Sequence, residues 1–197
     1  MNKEHCSETL YDCMALVESG LNYKRCAELR LPFICFKKNV EVPPSLGKCT
    51  TVDPAYKLHG ILNSCYKFHP EPRKWSEAFK TCSAEGAYLA IVNSDEEVEH
   101  LKNLFAEYPP KILTSDYKDC VFLGYRIFGD ETITNHPLSY FYTIHGQLLD
   151  QAGYNRWSVG QPNRSGNCGG MYRTGLLNDI WCHVPYAFIC EKDPQSY

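Results

Sequence analysis

Residues 157–190 form the most informative stretch of this chain and read WSVGQPNRSGNCGGMYRTGLLNDIWCHVPYAFIC. Oxygen-bearing side chains occur in the tripeptide Gln161-Pro162-Asn163 and in the pair Asn178-Asp179, and each group is followed by a cysteine, Cys168 or Cys182. A hard cation such as calcium binds about six to eight oxygen atoms at about 2.3–2.6 Å. The stretch therefore predicts a cysteine-pinned loop that could hold such a cation.

The cysteine content of the chain indicates its compartment. Eleven of the 197 residues are cysteine, and no two of them stand in a CxxC pair. Scattered cysteines at this density favour disulfides and an oxidising compartment, and the missing CxxC pairs disfavour a structural zinc site. We therefore expect a secreted, extracellular protein. Residues 1–6 carry no apolar leader, so we expect either that a leader is missing or that the chain is a fragment, and the repeat described below favours a fragment.

Charge and motif content exclude several functions. The formal net charge is −3, and no basic run occurs, so no nucleic-acid partner and no anionic membrane surface are expected. No apolar segment reaches the roughly 20 residues of a membrane span, so no membrane insertion is expected. The sequence contains no HExxH, GxSxG or P-loop motif, which argues against an enzyme.

A cysteine triplet occurs twice along the chain. The gaps in Cys13-Cys26-Cys35 are 13 and 9 residues, and those in Cys168-Cys182-Cys190 are 14 and 8. Both triplets end in Phe-Ile-Cys, which indicates an internal repeat. Thirty-eight residues are too few to bury a core alone. We therefore predict a C-terminal remnant of a first domain at 1–38, a linker at 39–48 that contains two consecutive prolines, and a complete domain at 49–193.

Hydrophobic periodicity places two helices early in the complete domain. Trp75, Ala78, Phe79 and Cys82 share one helical face. Ser94 with Glu97 forms a capping-box pattern ahead of a second amphipathic helix, whose apolar positions are Val98, Leu101 and Phe105. Short strands are predicted over 63–68, 88–92 and 120–125, and a long loop over 129–161. Helices early and strands late indicate an α+β fold.

The motifs of the complete domain resemble the C-type lectin family in its long form. The residues that carry the resemblance follow the family's order: Trp75, Ala78, Cys82, Gly86–Leu89, Leu123-Gly124, Trp157, Gly160–Asn163, Asn178-Asp179 and Phe188–Cys190. The segments 143–149 and 153–157 are similar to the immulectin group of insect tandem-domain C-type lectins. The resemblance implies a C-type lectin-like fold with two helices, small antiparallel sheets and a long disulfide-stapled loop region.

The resemblance also implies a disulfide pattern. Cys120 is interpreted as a small buried hydrophobic residue, and Cys35 as the partner of a cysteine in the missing part of the first domain. Cys6 has no counterpart in the family, and an intermolecular bridge through it is a hypothesis. The implied pairs are Cys49–Cys65, Cys82–Cys190, Cys168–Cys182 and Cys13–Cys26.

By the same resemblance, Gln161, Asn163, Asn178 and Asp179 contact both calcium and sugar hydroxyls. Glu-Pro-Asn is associated in the family with mannose-type sugars and Gln-Pro-Asp with galactose-type sugars, so Gln-Pro-Asn predicts neither. The family's further ligand, a Glu, is replaced by Gly166. With Asp179 as the one carboxylate of the set, we predict weak or absent calcium binding, because affinity follows the charge of the ligands. Substitute ligands on the long loop remain an alternative: Asp130, Glu131 or Asp150.

Aromatic and basic side chains near this loop are further candidates. Tyr154 and Arg164 are predicted to contact sugar at the surface, whereas Trp157 and Trp181 are predicted to pack in the core. Asn163 also begins the chain's N-glycosylation sequon, and a glycan there would block the site.

Two functions are consistent with these residues. The first is a secreted carbohydrate-binding lectin that recognises glycans of microbial or cell surfaces in innate immunity, with doubtful dependence on calcium. The second is a calcium-independent module on the same fold that binds protein partners. Competition by free sugars distinguishes them.

Overall fold

A computed structural model describes residues 12–17, 20–25, 49, 53–127 and 141–194. The chain divides into two compact units, residues 1–41 and 42–197. In the first unit, β1 (Asp12–Val17) and β2 (Gly20–Arg25) pair as an antiparallel hairpin with Asp12 opposite Arg25. The predicted boundaries at 38 and 48 fall outside the described residues and stay predictions.

Within its described residues, the second unit contains two α-helices and eight strands. The helices are α1 (Trp75–Ala84) and α2 (Asp95–Ala106). The strands before the loop region are β3 (Lys57–His59), β4 (Ser64–Arg73), β5 (Tyr88–Leu89) and β6 (Cys120–Ile127). The later strands are β7 (Phe141–Thr143), β8 (Cys168–Tyr172), β9 (Leu177–Ile180) and β10 (Tyr186–Lys192). This arrangement confirms the α+β class.

All eight strands of this unit belong to one mixed sheet. The strand order is β3-β4-β10-β6-β8-β9, with β5 also paired to β10 and β7 to β6. The pairing of β10 with β6 is parallel, with Ala187 opposite Val121, and the other pairings are antiparallel. The sheet thus differs from the expected set of small antiparallel sheets. The reason is that the last strand enters between β4 and β6 and joins what would otherwise be separate ladders.

Each helix covers a different part of the core. On α1, Trp75, Ala78 and Cys82 are buried, whereas Phe79 is 37% exposed and does not belong to the buried face as expected. The buried apolar residues of α1 belong to a hydrophobic cluster with Phe122 and Phe188. Those of α2 belong to a second cluster with Leu123 and Met171. Adjacent residues of β6 therefore face different clusters, so this strand is buried on both faces and its run Val121-Phe122-Leu123 is apolar throughout.

The predicted cap of α2 is present in part. The Ser94 hydroxyl accepts the backbone N–H of Glu97 at 3.2 Å. The Glu97 carboxylate accepts the N–H of Asn93 at 2.9 Å, one residue earlier than a capping box requires. Val98, Leu101 and Phe105 are buried as predicted. No helix in the described part of the chain is long and apolar enough to cross a membrane.

Disulfides tie the helices and the late strands together. The bridges Cys49–Cys65, Cys82–Cys190 and Cys168–Cys182 are formed, which are the pairs that the resemblance implies. Cys82–Cys190 links α1 to β10. Cys120 is buried and is not bonded to another cysteine. The Cys13–Cys26 pair, Cys6 and Cys35 involve residues outside those that the structure describes.

Candidate functional site

Three of the four predicted ligands, Gln161, Asn163 and Asp179, come together where the loop 158–166 meets β9. Both oxygens of the buried Asp179 carboxylate accept backbone N–H groups from this loop. Asn163 donates to Oδ1 at 2.9 Å, and Gly166 donates to Oδ2 at 3.2 Å. The loop is thus closed over the one carboxylate of the predicted set.

The side-chain oxygens of Gln161 and Asn163 accept hydrogen bonds within the loop itself. Gln161 Oε1 accepts the N–H of Asn163 at 3.1 Å, and Asn163 Oδ1 accepts the N–H of Ser165 at 2.8 Å. The Gln161–Pro162 peptide bond is cis. Arg164 is exposed and adopts a positive φ of 68° at the tip of the loop. The side-chain amide nitrogens of Gln161 and Asn163 and the guanidinium of Arg164 are the donors that this surface can offer.

Gly166 lies where the family's further carboxylate would be expected. A Cβ atom built on Gly166 would overlap the backbone carbonyl group of Ile180 on β9. The absence of a side chain at this position is therefore required by the close approach of two backbones. Position 166 does not supply a ligand in this arrangement, and a longer residue would push the loop away from β9.

These contacts do not fit a calcium centre. The oxygens of Asp179, Gln161 and Asn163 already accept backbone N–H groups, and a cation would compete with these donors for them. A single carboxylate offers little charge to offset that competition, and calcium affinity depends on ligand charge and number. Of the proposed substitutes, Asp150 accepts the amide of Asn155 at 2.6 Å. Asp130 and Glu131 lie outside the described residues.

Asn178 has a different environment from its neighbour Asp179. It is 5% exposed, and its Oδ1 atom has no hydrogen-bond partner among the described residues. Its amide lies near the Cys120 thiol and the Tyr172 hydroxyl. Burial raises the pKa of Cys120 to about 12, so this cysteine is a neutral thiol. Asn178 therefore faces a neutral interior and not the loop.

A cleft of about 240 Å³ lies beside Asn178. Four aromatic residues form much of its lining: Tyr117, Tyr172, Trp181 and Tyr186. Trp181 is 41% exposed, which corrects the prediction that it packs in the core. It follows directly after β9, which ends at Ile180. Tyr117, Tyr172 and Tyr186 were not among the predicted residues, because they come from three separate parts of the chain.

Tyr154 requires the opposite correction. It is 5% exposed and belongs to the hydrophobic core, so it does not present a surface for sugar. Its hydroxyl donates to the carbonyl of Gly175 at 3.1 Å, which satisfies the polar end of the ring. Trp157 packs as expected against Phe141 and Tyr125, with ring centroids 5.2 and 5.9 Å apart.

A second group of potential ligands lies near α1. Atoms of His69, Glu85 and Cys190 lie within 4.8 Å of one another. However, Cys190 is in a disulfide, and Glu85 accepts hydrogen bonds from Lys67 and Tyr56 at 2.7 Å each. Burial alone would raise the pKa of Glu85, but these two hydrogen bonds outweigh it, and the pKa is lowered. The group is an ion-paired network, not a metal centre.

Two carboxylates are buried in the core away from the loop. Glu97 accepts the Tyr66 hydroxyl at 2.6 Å, and Glu191 accepts the Ser64 hydroxyl at 2.9 Å and the N–H of Ile91 at 3.2 Å. Burial, and next the charge of Glu97, raises the pKa of Glu191 to about 7. Burial also raises the pKa of Glu97. Each carboxylate accepts hydrogen bonds, but the two negative charges repel each other.

The fold and the disulfides define a C-type lectin-like domain. Mouse scavenger receptor C-type lectin carbohydrate-recognition domain has a TM-score of 0.56 at 24% identity, covering 73% of this chain and 98% of that one. A calcium-independent type II antifreeze protein has a TM-score of 0.54 at 22% identity, and the match covers 73% of this chain and 95% of that one. These likenesses show the fold alone.

The sequence shows the family. Residues 71–192 match the Lectin C-type domain, and the chain belongs to this family, whose domains are not enzymes. It is similar to "Hemolymph lipopolysaccharide-binding protein" of Periplaneta americana, 35% identical over 78% of this chain and 58% of that protein. It is also similar to "C-type lectin domain family 4 member E" of Homo sapiens, 29% identical over 66% of this chain and 54% of that protein. The chain spans about half the length of these relatives.

Proposed function

We propose that this chain is a secreted carbohydrate-binding module that recognises microbial surface glycans in innate immunity. The observation that carries the proposal is the family match over residues 71–192, together with the 35% identity to a hemolymph protein named for binding lipopolysaccharide. The three disulfides support an extracellular location, because such bonds persist in oxidising compartments. Avidity from a second complete domain or from an oligomer would raise the affinity of a weak single site.

Binding in this proposal does not depend on calcium at the loop. The geometry that supports this point is the hydrogen bonding of Asp179, Gln161 and Asn163 to backbone N–H groups, and the lack of room for a side chain at position 166. Sugar hydroxyls would accept hydrogen bonds from the amide nitrogens of Gln161 and Asn163 and from Arg164. Asp179 acts by fixing the shape of the loop.

The test is binding to an array of microbial polysaccharides, including lipopolysaccharide, with calcium and again with a chelator. We expect the same glycans to bind in both arms. Loss of binding in the chelator arm would overturn the calcium-independent part of the proposal. No binding in either arm would overturn glycan recognition and favour a protein partner.

A matched pair of variants tests the role of the loop. Gln161→Ala removes a proposed donor and should weaken glycan binding. Val159→Ala changes a fully exposed neighbour in the same loop and should not. Equal binding by the two variants would show that the loop does not contact sugar.

A further inference from the structure

The aromatic cleft beside β9 has the features of a ligand site in its own right. Its outer wall is formed by Trp181 and Tyr117, which are 41% and 43% exposed, with ring centroids 6.3 Å apart. Tyr117 packs in turn on Tyr186 at 5.0 Å. Large aromatic faces that remain open to solvent next to a cavity can bury further apolar area when a ligand covers them.

A buried polar atom lies in the same cleft. Asn178 Oδ1 is an acceptor without a hydrogen-bond partner among the described residues. An unsatisfied buried acceptor is unfavourable, and a ligand that brings a hydroxyl or amide hydrogen would satisfy it. The cleft thus combines apolar walls with one acceptor that has no donor. Apolar walls retain a ligand, and a single polar group fixes its orientation.

The charges around the cleft indicate a neutral ligand. No Lys, Arg or His occurs among the described residues that line it, so an anion would find no counter-charge. Its one carboxylate, Asp179, already accepts two backbone N–H groups. The Cys120 thiol is neutral, because burial raises its pKa to about 12. Desolvating a charged ligand here would be unfavourable.

The size of the cleft limits the ligand to about one ring. Its volume of about 240 Å³ is below the roughly 300–1,000 Å³ of pockets that hold drug-sized molecules. A pyranose fits this description, because it has an apolar face for Trp181 and Tyr117 and hydroxyl hydrogens for Asn178. Gln161 and Ser165 lie at the border with the loop, so a longer glycan could continue from the cleft onto the loop.

We propose that this cleft binds one neutral pyranose residue by stacking on Trp181 and Tyr117 and by donation to Asn178 Oδ1, without a metal ion. The inference rests on the proposed function, because it assigns the contact for one sugar unit of the recognised glycan. It places the main apolar contact on Trp181 and Tyr117, in a cleft that Gln161 and Ser165 of the loop also line.

The experiment follows the three tryptophan indole N–H signals by NMR in the presence of a chelator. Glucose, mannose, galactose and N-acetylglucosamine are titrated separately, with glucuronate as the charged counterpart of glucose. Trp181→Phe assigns the Trp181 signal. We expect at least one neutral sugar to shift the Trp181 signal while the buried Trp75 signal stays unchanged, and we expect glucuronate to have no effect.

Variants on the glycan array distinguish this inference from the proposed function. Trp181→Ala and Tyr117→Ala should each weaken binding by about tenfold. Phe79→Ala, which removes an exposed aromatic outside the cleft, should bind like the unmodified chain. If the unmodified chain binds glycans but the cleft variants bind equally well, the cleft assignment is overturned alone. If no neutral sugar shifts Trp181, or glucuronate shifts it equally, the assignment is also overturned. If the unmodified chain binds no glycan, both proposals fail.

Discussion

The loop at β9 and the core beside α2 both contain buried carboxylates that accept backbone N–H groups, yet their electrostatics differ. Asp179 stands alone under its loop and accepts from Asn163 and Gly166. Glu97 and Glu191 accept comparable hydrogen bonds, but each lies in the field of the other. Burial and this repulsion raise the pKa of Glu191 to about 7.

The difference shows that the hydrogen bonds to a carboxylate and the number of charges near it are separate properties of a site. Backbone N–H groups satisfy all three carboxylates, so satisfaction alone does not make a cation site. A bound cation would neutralise like charges that repel each other. The loop has only one carboxylate, so it has no such repulsion for a cation to relieve. Three substitutions test this comparison by giving the loop a second carboxylate, by removing one from the core, and by neutralising the single one at the loop.

Gly166→Glu should have the largest effect. It places a second carboxylate in the loop, but its Cβ overlaps the Ile180 carbonyl group and its charge enters a buried position. We expect a loss of at least about 4 kcal/mol in the free energy of unfolding, or failure to fold. Urea unfolding measures the change, with Gly60→Glu as control, because a Cβ at Gly60 meets no atom within 4 Å. A stable Gly166→Glu protein that gains calcium binding would contradict the closed geometry of the loop.

Glu191→Gln should alter the dependence of stability on pH. The folded pKa of about 7 lies above the unfolded value of about 4.3. Between these values the unfolded chain ionises first, so the contribution of Glu191 to the free energy of unfolding is largest below about pH 4.3 and is lost as the pH rises to about 7. The total loss from this group is about 4 kcal/mol, and the Gln variant should lack it.

This measurement requires a chelator, because a divalent cation between the two core carboxylates would relieve the same repulsion. Thermal unfolding between about pH 4 and pH 8 follows the effect. Glu96→Gln changes an exposed carboxylate on the same helix as Glu97 and should keep the profile of the unmodified chain. Identical profiles for Glu191→Gln and the unmodified chain would show that the core carboxylates do not oppose each other.

Asp179→Asn should cost about 2 kcal/mol, because an amide in place of the carboxylate leaves one loop N–H facing a donor. Asn178→Leu is the matched change on the same strand and should cost less than about 1 kcal/mol, because its Oδ1 accepts no hydrogen bond now. Urea unfolding of both variants gives the difference. An equal loss at the two positions would mean that the loop does not depend on Asp179.

Much of the scaffold could be predicted because its signals are local or carried by the family pattern. The periodicity around Val98, Leu101 and Phe105, with Ser94 ahead of it, predicted α2, and the structure buries those three residues. The mixed sheet was not predicted. The pairing of β10 with β6 joins residues more than 60 positions apart, as in Ala187 with Val121, and no local pattern encodes it.

Several residues of the candidate site could be predicted from the sequence, but the direction in which its aromatic side chains face could not. The tripeptide and Asp179 come together, as their separate motifs suggested. Tyr154 and Trp181 have the reverse of their expected exposure. Both lie where regular alternation stops, one in an irregular loop and one just past a strand, so periodicity carried no information about which side they face.

The central position of β10 has a consequence for the order of events during biosynthesis. This strand pairs with β4, β5 and β6, and Cys190 within it bonds to Cys82 across 108 positions. Until the ribosome has released residues 186–192, the nascent domain has exposed edges on β4 and β6 and an unpaired thiol at Cys82. Its sheet therefore closes only after translation of the domain is complete, and until then the unpaired edges of β4 and β6 are open to wrong pairing with other strands.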